Sequence, residues 1–113
     1  MANTVKYSGF TIEISEIDSD WAWTDTLTDS KFKNGIPINF IQFNPAAAND
    51  ACTVFEESIS SGPRSFYAKC DSASDQKRAY FHGAKMKPIL DFSAGTYTAN
   101  STVIIQLSKD APH

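Results

Sequence analysis

Histidine is scarce in this chain of 113 residues, with only His82 and the terminal His113. Glycine follows His82, which is typical of a solvated turn at the end of a strand. One usable histidine cannot complete a Ser/His/Asp or Cys/His system, and the sequence contains no G-x-S-x-G motif. We therefore predict no catalytic residues and no enzymatic activity.

Cysteine is equally scarce, and Cys52 and Cys70 have neither zinc-ligand spacing nor a neighbouring histidine. The opening residues MANTVKYSGF lack the apolar run of a secretory signal, so we expect two free thiols in a reducing compartment. A disulfide is the alternative if the two flanking strands are neighbours. Both residues lie in apolar contexts, where thiols stay protonated and inert.

Metal and cofactor motifs are also missing. The five glycines never form G-x-G, so no phosphate-binding loop is predicted. The aspartates at positions 18, 20, 25 and 29 lack the alternating spacing and the glycine of a calcium loop. We interpret them as solvated turn carboxylates and predict no metal ion and no cofactor.

Positive charge is limited, because ten Lys and Arg stand against thirteen Asp and Glu, for a net charge of −3. This balance argues against nucleic-acid binding, which needs clustered cations. The densest cluster contains Lys77, Arg78, Lys85 and Lys87, and we interpret it as a solvated strand edge or loop, since like charges also discourage unwanted edge pairing. No apolar stretch approaches the roughly 20 residues of a membrane span.

Aromatic residues are well supplied, with eight Phe, four Tyr and two Trp, and they favour pleated sheets. Turn signals recur every 8 to 12 residues or so, as in all-β sandwiches. In FTIEIS apolar and polar residues alternate, whereas IPINFIQF is apolar on both faces and reads as a central strand. The predicted strands are Phe10–Ser15, Trp21–Leu27, Ile36–Phe43, Cys52–Glu57, Ser65–Cys70, Arg78–His82, Lys87–Phe92 and Ser101–Leu107.

These eight or so short strands predict an all-β, single-domain antiparallel β-sandwich over residues 1–113, either jelly-roll-like or immunoglobulin-like. Residues 1–8 form either an arm that reaches a neighbour or a frayed terminus. The best helical candidate, Asn44–Cys52, is interrupted by Pro45 and is predicted to be a single turn. The expected core contains Ile12, Ile14, Ile38, Phe40, Ile41, Phe43, Val54, Phe66, Phe81, Ile89, Phe92, Val103, Ile105 and Leu107.

The most distinctive local feature is Trp21-Ala22-Trp23. A strand period of two would place both indoles on one face. If exposed, that face would be a stacking platform for sugar rings or a partner protein; if buried, it would fill the core or a subunit interface. We favour the core or interface, because large aromatic residues are usually buried.

The order of the runs carries a family resemblance. DWAWTDTL is followed by IPINFIQFNP, NDACTVFEES, RSFYAKCD, AYFHGAKMKPILDFS and STVIIQLS. This order resembles the small all-β structural proteins of tailed bacteriophages, over residues 18–108. The resemblance implies a β-sandwich or jelly-roll and a non-enzymatic role as a capsid decoration or cement protein, or another accessory component, in a virion assembled in the host cytoplasm.

The partners implied are capsid or other virion proteins and further copies of the chain, with no nucleic acid and no membrane. The residues expected at such contacts, from their nearness to loops and chain ends, are Trp21, Trp23, Tyr7, Phe10, Phe32 and Tyr97. The alternative function is a carbohydrate-binding β-sandwich module that uses Trp21 and Trp23 as its platform. A small jelly-roll enzyme is disfavoured, because the histidine and carboxylate cluster it needs is missing.

Overall fold

The structure is a computed structural model that describes residues 3–28, 30–57 and 62–108. These residues contain nine strands in two antiparallel sheets, which confirms the predicted all-β sandwich class. The strands are β1 (Thr4–Ser8), β2 (Thr11–Ser15), β3 (Trp21–Ala22), β4 (Ile36–Asn44), β5 (Ala51–Glu56), β6 (Arg64–Lys69), β7 (Lys77–Met86), β8 (Pro88–Leu90) and β9 (Thr102–Leu107). One helical turn, α1 (Trp23–Thr26), and one 3-10 turn (Ser30–Phe32) lie between β3 and β4.

The larger sheet has the strand order β1-β2-β9-β4-β7. Ile12 lies opposite Ile105 and Ile14 opposite Val103 in the pairing of β2 with β9, and all four are buried. Glu13, between Ile12 and Ile14, faces outward opposite Ile104, so the sequence alternation of β2 becomes one apolar and one polar face.

The smaller sheet has the order β3-β8-β5-β6. Val54 at its centre lies opposite Phe66 on one side and Leu90 on the other, and Leu90 in turn lies opposite Trp21. All four side chains are buried and contribute to the hydrophobic core of the described residues. Two sheets packed on a shared apolar layer bury these alternating sets without helices.

Ten of the expected core residues are buried, namely Ile12, Ile14, Ile38, Ile41, Phe43, Val54, Phe66, Val103, Ile105 and Leu107. Phe40 is not among them, because the register of β4 shifts between Ile38 and Phe40. This bulge turns Phe40 to the outer face opposite Gln106 and lets Ile41 continue the inner face. Phe81 and Ile89 pack against the core but are only partly buried, and the prediction for Phe92 is wrong because this side chain is exposed.

The predicted strand Trp21–Leu27 is wrong beyond its first two residues. The chain turns at Ala22 into α1, where the Asp25 carboxylate accepts the Ala22 N–H at 2.9 Å and Leu27 N–H donates to the Trp23 carbonyl at 2.9 Å. This local capping competes successfully with strand pairing. The two indoles therefore do not share one face of a strand.

Three further expectations are corrected or met. Thr4–Ser8 is not a free arm but pairs along its length with β2, while residues 1–2 lie outside the described residues. The segment after Asn44 contains turns and no helix before β5 begins at Ala51. Both cysteines are free and buried, as expected.

Candidate protein-binding surface

The thiols of Cys52 and Cys70 are protonated and unreactive near neutral pH. Burial raises the pKa of Cys52 to about 12, partly opposed by a hydrogen bond from the Tyr97 hydroxyl. Burial, followed by the negative charge of Asp75, also raises the pKa of Cys70. Because the thiolate is the reactive form, neither cysteine is a nucleophile near neutral pH.

Residues 3–28, 30–57 and 62–108 contain no group of three His, Cys, Asp or Glu side chains that could hold a metal ion. In the same part of the chain, no helix has both the length and the apolar character that a membrane crossing requires. His113 and Asp29, which the sequence also raised, lie outside the described residues.

Three of the six aromatic residues expected at contacts are buried inside the chain. Trp21 is 3% exposed and its Nε1 donates to Thr26 Oγ1 at 2.9 Å. Trp23 is 9% exposed and its Nε1 donates to the carbonyl of Phe32, itself buried, at 3.0 Å. Neither indole face is presented to solvent, so the two tryptophans do not form a platform for sugar rings.

The other three lie apart from one another. Tyr7 is on edge strand β1 and partly exposed, while Phe10 lies in the turn between β1 and β2 and packs against the core. Tyr97 reaches inward, and its hydroxyl accepts the Thr53 N–H at 3.3 Å. The structure therefore does not bring the six expected residues together, and contact roles for Tyr7 and Phe10 stay predictions.

An aromatic surface missed from the sequence lies on the outside of the larger sheet. Phe40 of β4 and Tyr80 of β7 are cross-strand partners with ring centroids 5.7 Å apart in an edge arrangement. His82 stacks on Tyr80 at 6.3 Å, and Tyr80 is 55% exposed. We call Phe40, Gln42, Arg78, Tyr80 and His82 the aromatic face.

Arg78 holds the aromatic face in place. Its guanidinium carbon lies 4.2 Å from the centroid of the Phe40 ring. Its Nη1 donates to the Tyr80 hydroxyl at 2.8 Å and its Nε donates to Gln42 Oε1 at 2.7 Å, with Nη2 donating to the same oxygen. A guanidinium fixed by stacking and by several hydrogen bonds loses little further freedom when a partner binds.

A double irregularity in β7 shapes one end of this face. His82 and Gly83 have φ of 54° and 83°, and the strand inserts extra residues opposite Asn39. The sequence predicts His82 at the end of a strand, whereas the structure places it within the long strand β7. An open depression of about 490 Å³ adjoins it, lined in part by Phe10, Asn39 and Gln106. Bulges of this kind redirect side chains and are frequent beside functional surfaces.

A second surface lies between the last strands of the two sheets. Neither β6 nor β7 has a second neighbouring strand among the described residues. Residues 65–69 of β6 and 77–79 of β7 line an open cleft of about 610 Å³, which we call the edge groove. Among these lining residues Tyr67 is 53% exposed, and the Arg64 guanidinium lies 4.9 Å from the centroid of the Tyr67 ring.

One sequence signal could have located the aromatic face. Arg78, Tyr80 and His82 alternate with Ala79 and Phe81, so a strand period of two puts the cation and both rings on one side. Three members of the basic cluster, Lys77, Arg78 and Lys85, lie on the edge strand β7, and Lys87 lies between β7 and β8, in agreement with the interpretation as a strand edge or loop. Its combination with aromatic rings was overlooked because Phe40 comes from a strand whose bulge was not foreseen.

Comparison with known proteins identified no relative: no family model matches the chain, and neither the curated proteins nor the solved structures contain a match.

Proposed function

We propose that the chain is a non-enzymatic structural protein that works by binding other proteins, and that it is a capsid decoration or cement component of a tailed-phage virion. The phage role is supported by the resemblance in run order over residues 18–108. The binding role is supported mainly by one observation, the pre-ordered aromatic face with Tyr80 exposed at its centre.

The composition of the aromatic face matches that of protein interfaces, where Tyr and Arg are enriched. Tyr80 offers a large ring with a hydroxyl already positioned by Arg78. Gln42, fixed by the same guanidinium, completes a polar border on one side of the ring. A partner protein can bury the ring while the surrounding hydrogen bonds stay satisfied, which avoids a desolvation penalty.

The interior offers less to a chemical function. The buried thiols stay protonated at neutral pH because burial raises the pKa of Cys52 to about 12. Buried Asp50 accepts the N–H groups of Ala46 and Ala47 and the hydroxyl of Thr98, so its carboxylate is engaged in holding loops. These observations favour a scaffold that acts through its exterior.

The experiment co-expresses the chain with the major capsid protein encoded in its own genomic neighbourhood and separates assembled shells on a density gradient. We expect the chain to migrate with the shells at a fixed stoichiometry. A chain that stays at the top of the gradient, or a neighbourhood without capsid, portal or tail genes, would overturn the proposal.

Two matched variants locate the contact. Tyr80→Ser should weaken shell binding at least tenfold, because truncating a central interface tyrosine typically costs about 2 kcal/mol or more. Lys33→Ser shortens an exposed side chain that lies in neither the aromatic face nor the edge groove, and should leave shell binding unchanged. Equal binding by both variants would exclude the aromatic face as the contact.

A further inference from the structure

The charges of the chain are divided between two segments. Residues 7–30 contain six carboxylates and no lysine or arginine. Residues 64–87 contain six lysines and arginines and only two carboxylates. A net charge of −3 for the whole chain therefore hides one strongly acidic and one basic segment.

The fold places the two segments on opposite sides of the sandwich. The acidic segment includes β2 and β3. Asn3, immediately before β1, links the edge strands β1 and β3. Its Oδ1 accepts the Asp18 N–H at 2.8 Å, and its Nδ2 donates to the Ser19 carbonyl at 2.9 Å. The basic segment contains β6 and β7, at the other ends of the two sheet orders. We call Glu13, Glu16, Asp18, Asp20 and Asp25 the acidic side. Lys6 of β1 lies opposite Glu13 and offsets part of its charge, which leaves the acidic side with a negative excess.

The edge groove supplies a complementary surface. Lys69, Lys77 and Arg78 line it, and no described residue that lines it carries a carboxylate. Asp75 lies 3.3 Å from Lys77 and neutralises part of one charge, with the lysine side chain still 45% exposed. Two strand edges flank the groove, and exposed edges accept extended segments of another chain through main-chain hydrogen bonds.

We propose that the edge groove binds the acidic side of a second copy of this chain, so that copies associate head to tail. The inference rests on the proposed function, which requires a chain that acts through protein contacts. Two grooves facing each other would repel, and so would two acidic sides, so the charges favour the heterologous arrangement. A contact between two different surfaces builds a ring if the rotation closes and a filament if it does not.

A second copy fits better than an unrelated occupant because the chain carries both complementary surfaces itself. Glu16 and Asp20 are exposed on the acidic side, and Lys69 is exposed at the groove. Every copy then carries one acidic side and one edge groove, and an open chain of copies always has one of each unoccupied at its ends. Association of this kind should weaken as salt screens the charges.

The first experiment measures molar mass by light scattering across protein concentration, at low and at high salt. The groove variant (Lys69→Glu and Lys77→Glu) is expected to raise the dissociation constant at least tenfold. The control variant (Lys6→Glu and Lys33→Glu) changes the net charge equally but removes two exposed cations outside the groove. It should associate at least as well as the unmodified chain, and equal loss in both variants would overturn the inference.

The second experiment reverses the complementary charges. The acidic-side variant (Glu13→Lys and Glu16→Lys) should self-associate at least tenfold more weakly than the unmodified chain, as should the groove variant. Mixing the two should restore association, because the unmodified groove of one meets the unmodified acidic side of the other. Circular dichroism of each variant alone verifies the fold, and restoration on mixing cannot come from unfolded chains. Two folded variants that stay monomeric when mixed would overturn the inference.

The outcomes separate this inference from the proposed function. A chain that is monomeric at every concentration but migrates with capsid shells would overturn head-to-tail association and leave the proposed function standing. A chain that associates through the groove but does not bind capsid shells would support head-to-tail association and overturn the proposed function. A groove variant that loses shell binding while keeping self-association would assign the groove to a capsid protein and overturn the inference.

Discussion

Tyr97 and Cys52 meet inside the sandwich, although one lies in the loop before β9 and the other in β5. The Tyr97 hydroxyl accepts the Thr53 N–H at 3.3 Å and lies close enough to the Cys52 thiol to influence its pKa. Its ring packs edge-on against Phe43 at 5.8 Å and stacks on Phe92 at 6.0 Å. One side chain thus fastens the loop that connects the two sheets.

Replacing Tyr97 by Phe tests this attachment. The ring contacts remain, but the Thr53 N–H loses its acceptor in the core. We expect the free energy of unfolding to fall by about 1–2 kcal/mol, as for other unsatisfied buried groups. Urea unfolding measures the change, and Tyr67→Phe, at an exposed site, should shift stability by less than about 0.5 kcal/mol. Identical midpoints for both variants would show that the hydroxyl contributes nothing.

Asp50 provides the second prediction, because it organises the turn between β4 and β5. Its Oδ2 accepts the N–H groups of Ala46 at 2.9 Å and Ala47 at 3.1 Å, and its Oδ1 accepts the Thr98 hydroxyl at 2.6 Å. Asp50→Asn keeps the size but removes one acceptor, so we expect a loss of about 1–3 kcal/mol. Asp71→Asn, on an exposed turn, is the control. An unchanged melting temperature in Asp50→Asn would contradict this role.

The buried tryptophans provide the third prediction. Because Trp21 and Trp23 are enclosed, iodide should quench their fluorescence weakly in the folded protein and strongly after unfolding. Trp23→Ala should destabilise the fold by about 3–5 kcal/mol, as expected for a large buried aromatic residue. Adding oligosaccharides should leave the emission unchanged. Strong quenching in the native state would place the indoles at the surface and revive the sugar platform.

Much of the fold could be predicted because strand alternation reports the buried face directly. Ile12 and Ile14 alternate with polar residues, and the structure buries both as expected. The same alternation wrongly predicted a strand over Trp21–Leu27, because the Asp25 carboxylate caps a helical turn at Ala22. A period of two also cannot reveal a bulge, and the shift before Phe40 turned an expected core residue outward.

The candidate surface was harder to predict, because it depends on strand order. The basic cluster around Arg78 was visible in the sequence, but the neighbouring rings come from β4 and from the outward side of β7. Sequence alone does not say that β7 ends one sheet and β6 the other. Pairing across long separations in the chain produces both the aromatic face and the edge groove, so short-range patterns could indicate only their components.

The last prediction concerns alkaline pH. The pKa of the Cys52 thiol rises from 9.0 to about 12 on folding, because burial disfavours the thiolate. The folded state therefore keeps a proton that the unfolded state releases above about pH 9. Linkage then requires that stability be full below pH 9 and fall as pH rises toward 12, by about 1.4 kcal/mol per pH unit for one such group.

Guanidinium unfolding between pH 7 and 11 measures this slope. Burial also raises the pKa of Tyr97, so the decline should steepen above pH 10, where an unfolded tyrosine ionises. Cys52→Ala removes one titrating group and should flatten the profile between pH 9 and 10, whatever its effect on stability at pH 7. A Cys52→Ala profile parallel to that of the unmodified chain would show that the thiol ionises equally in both states, and so that burial does not hold its proton.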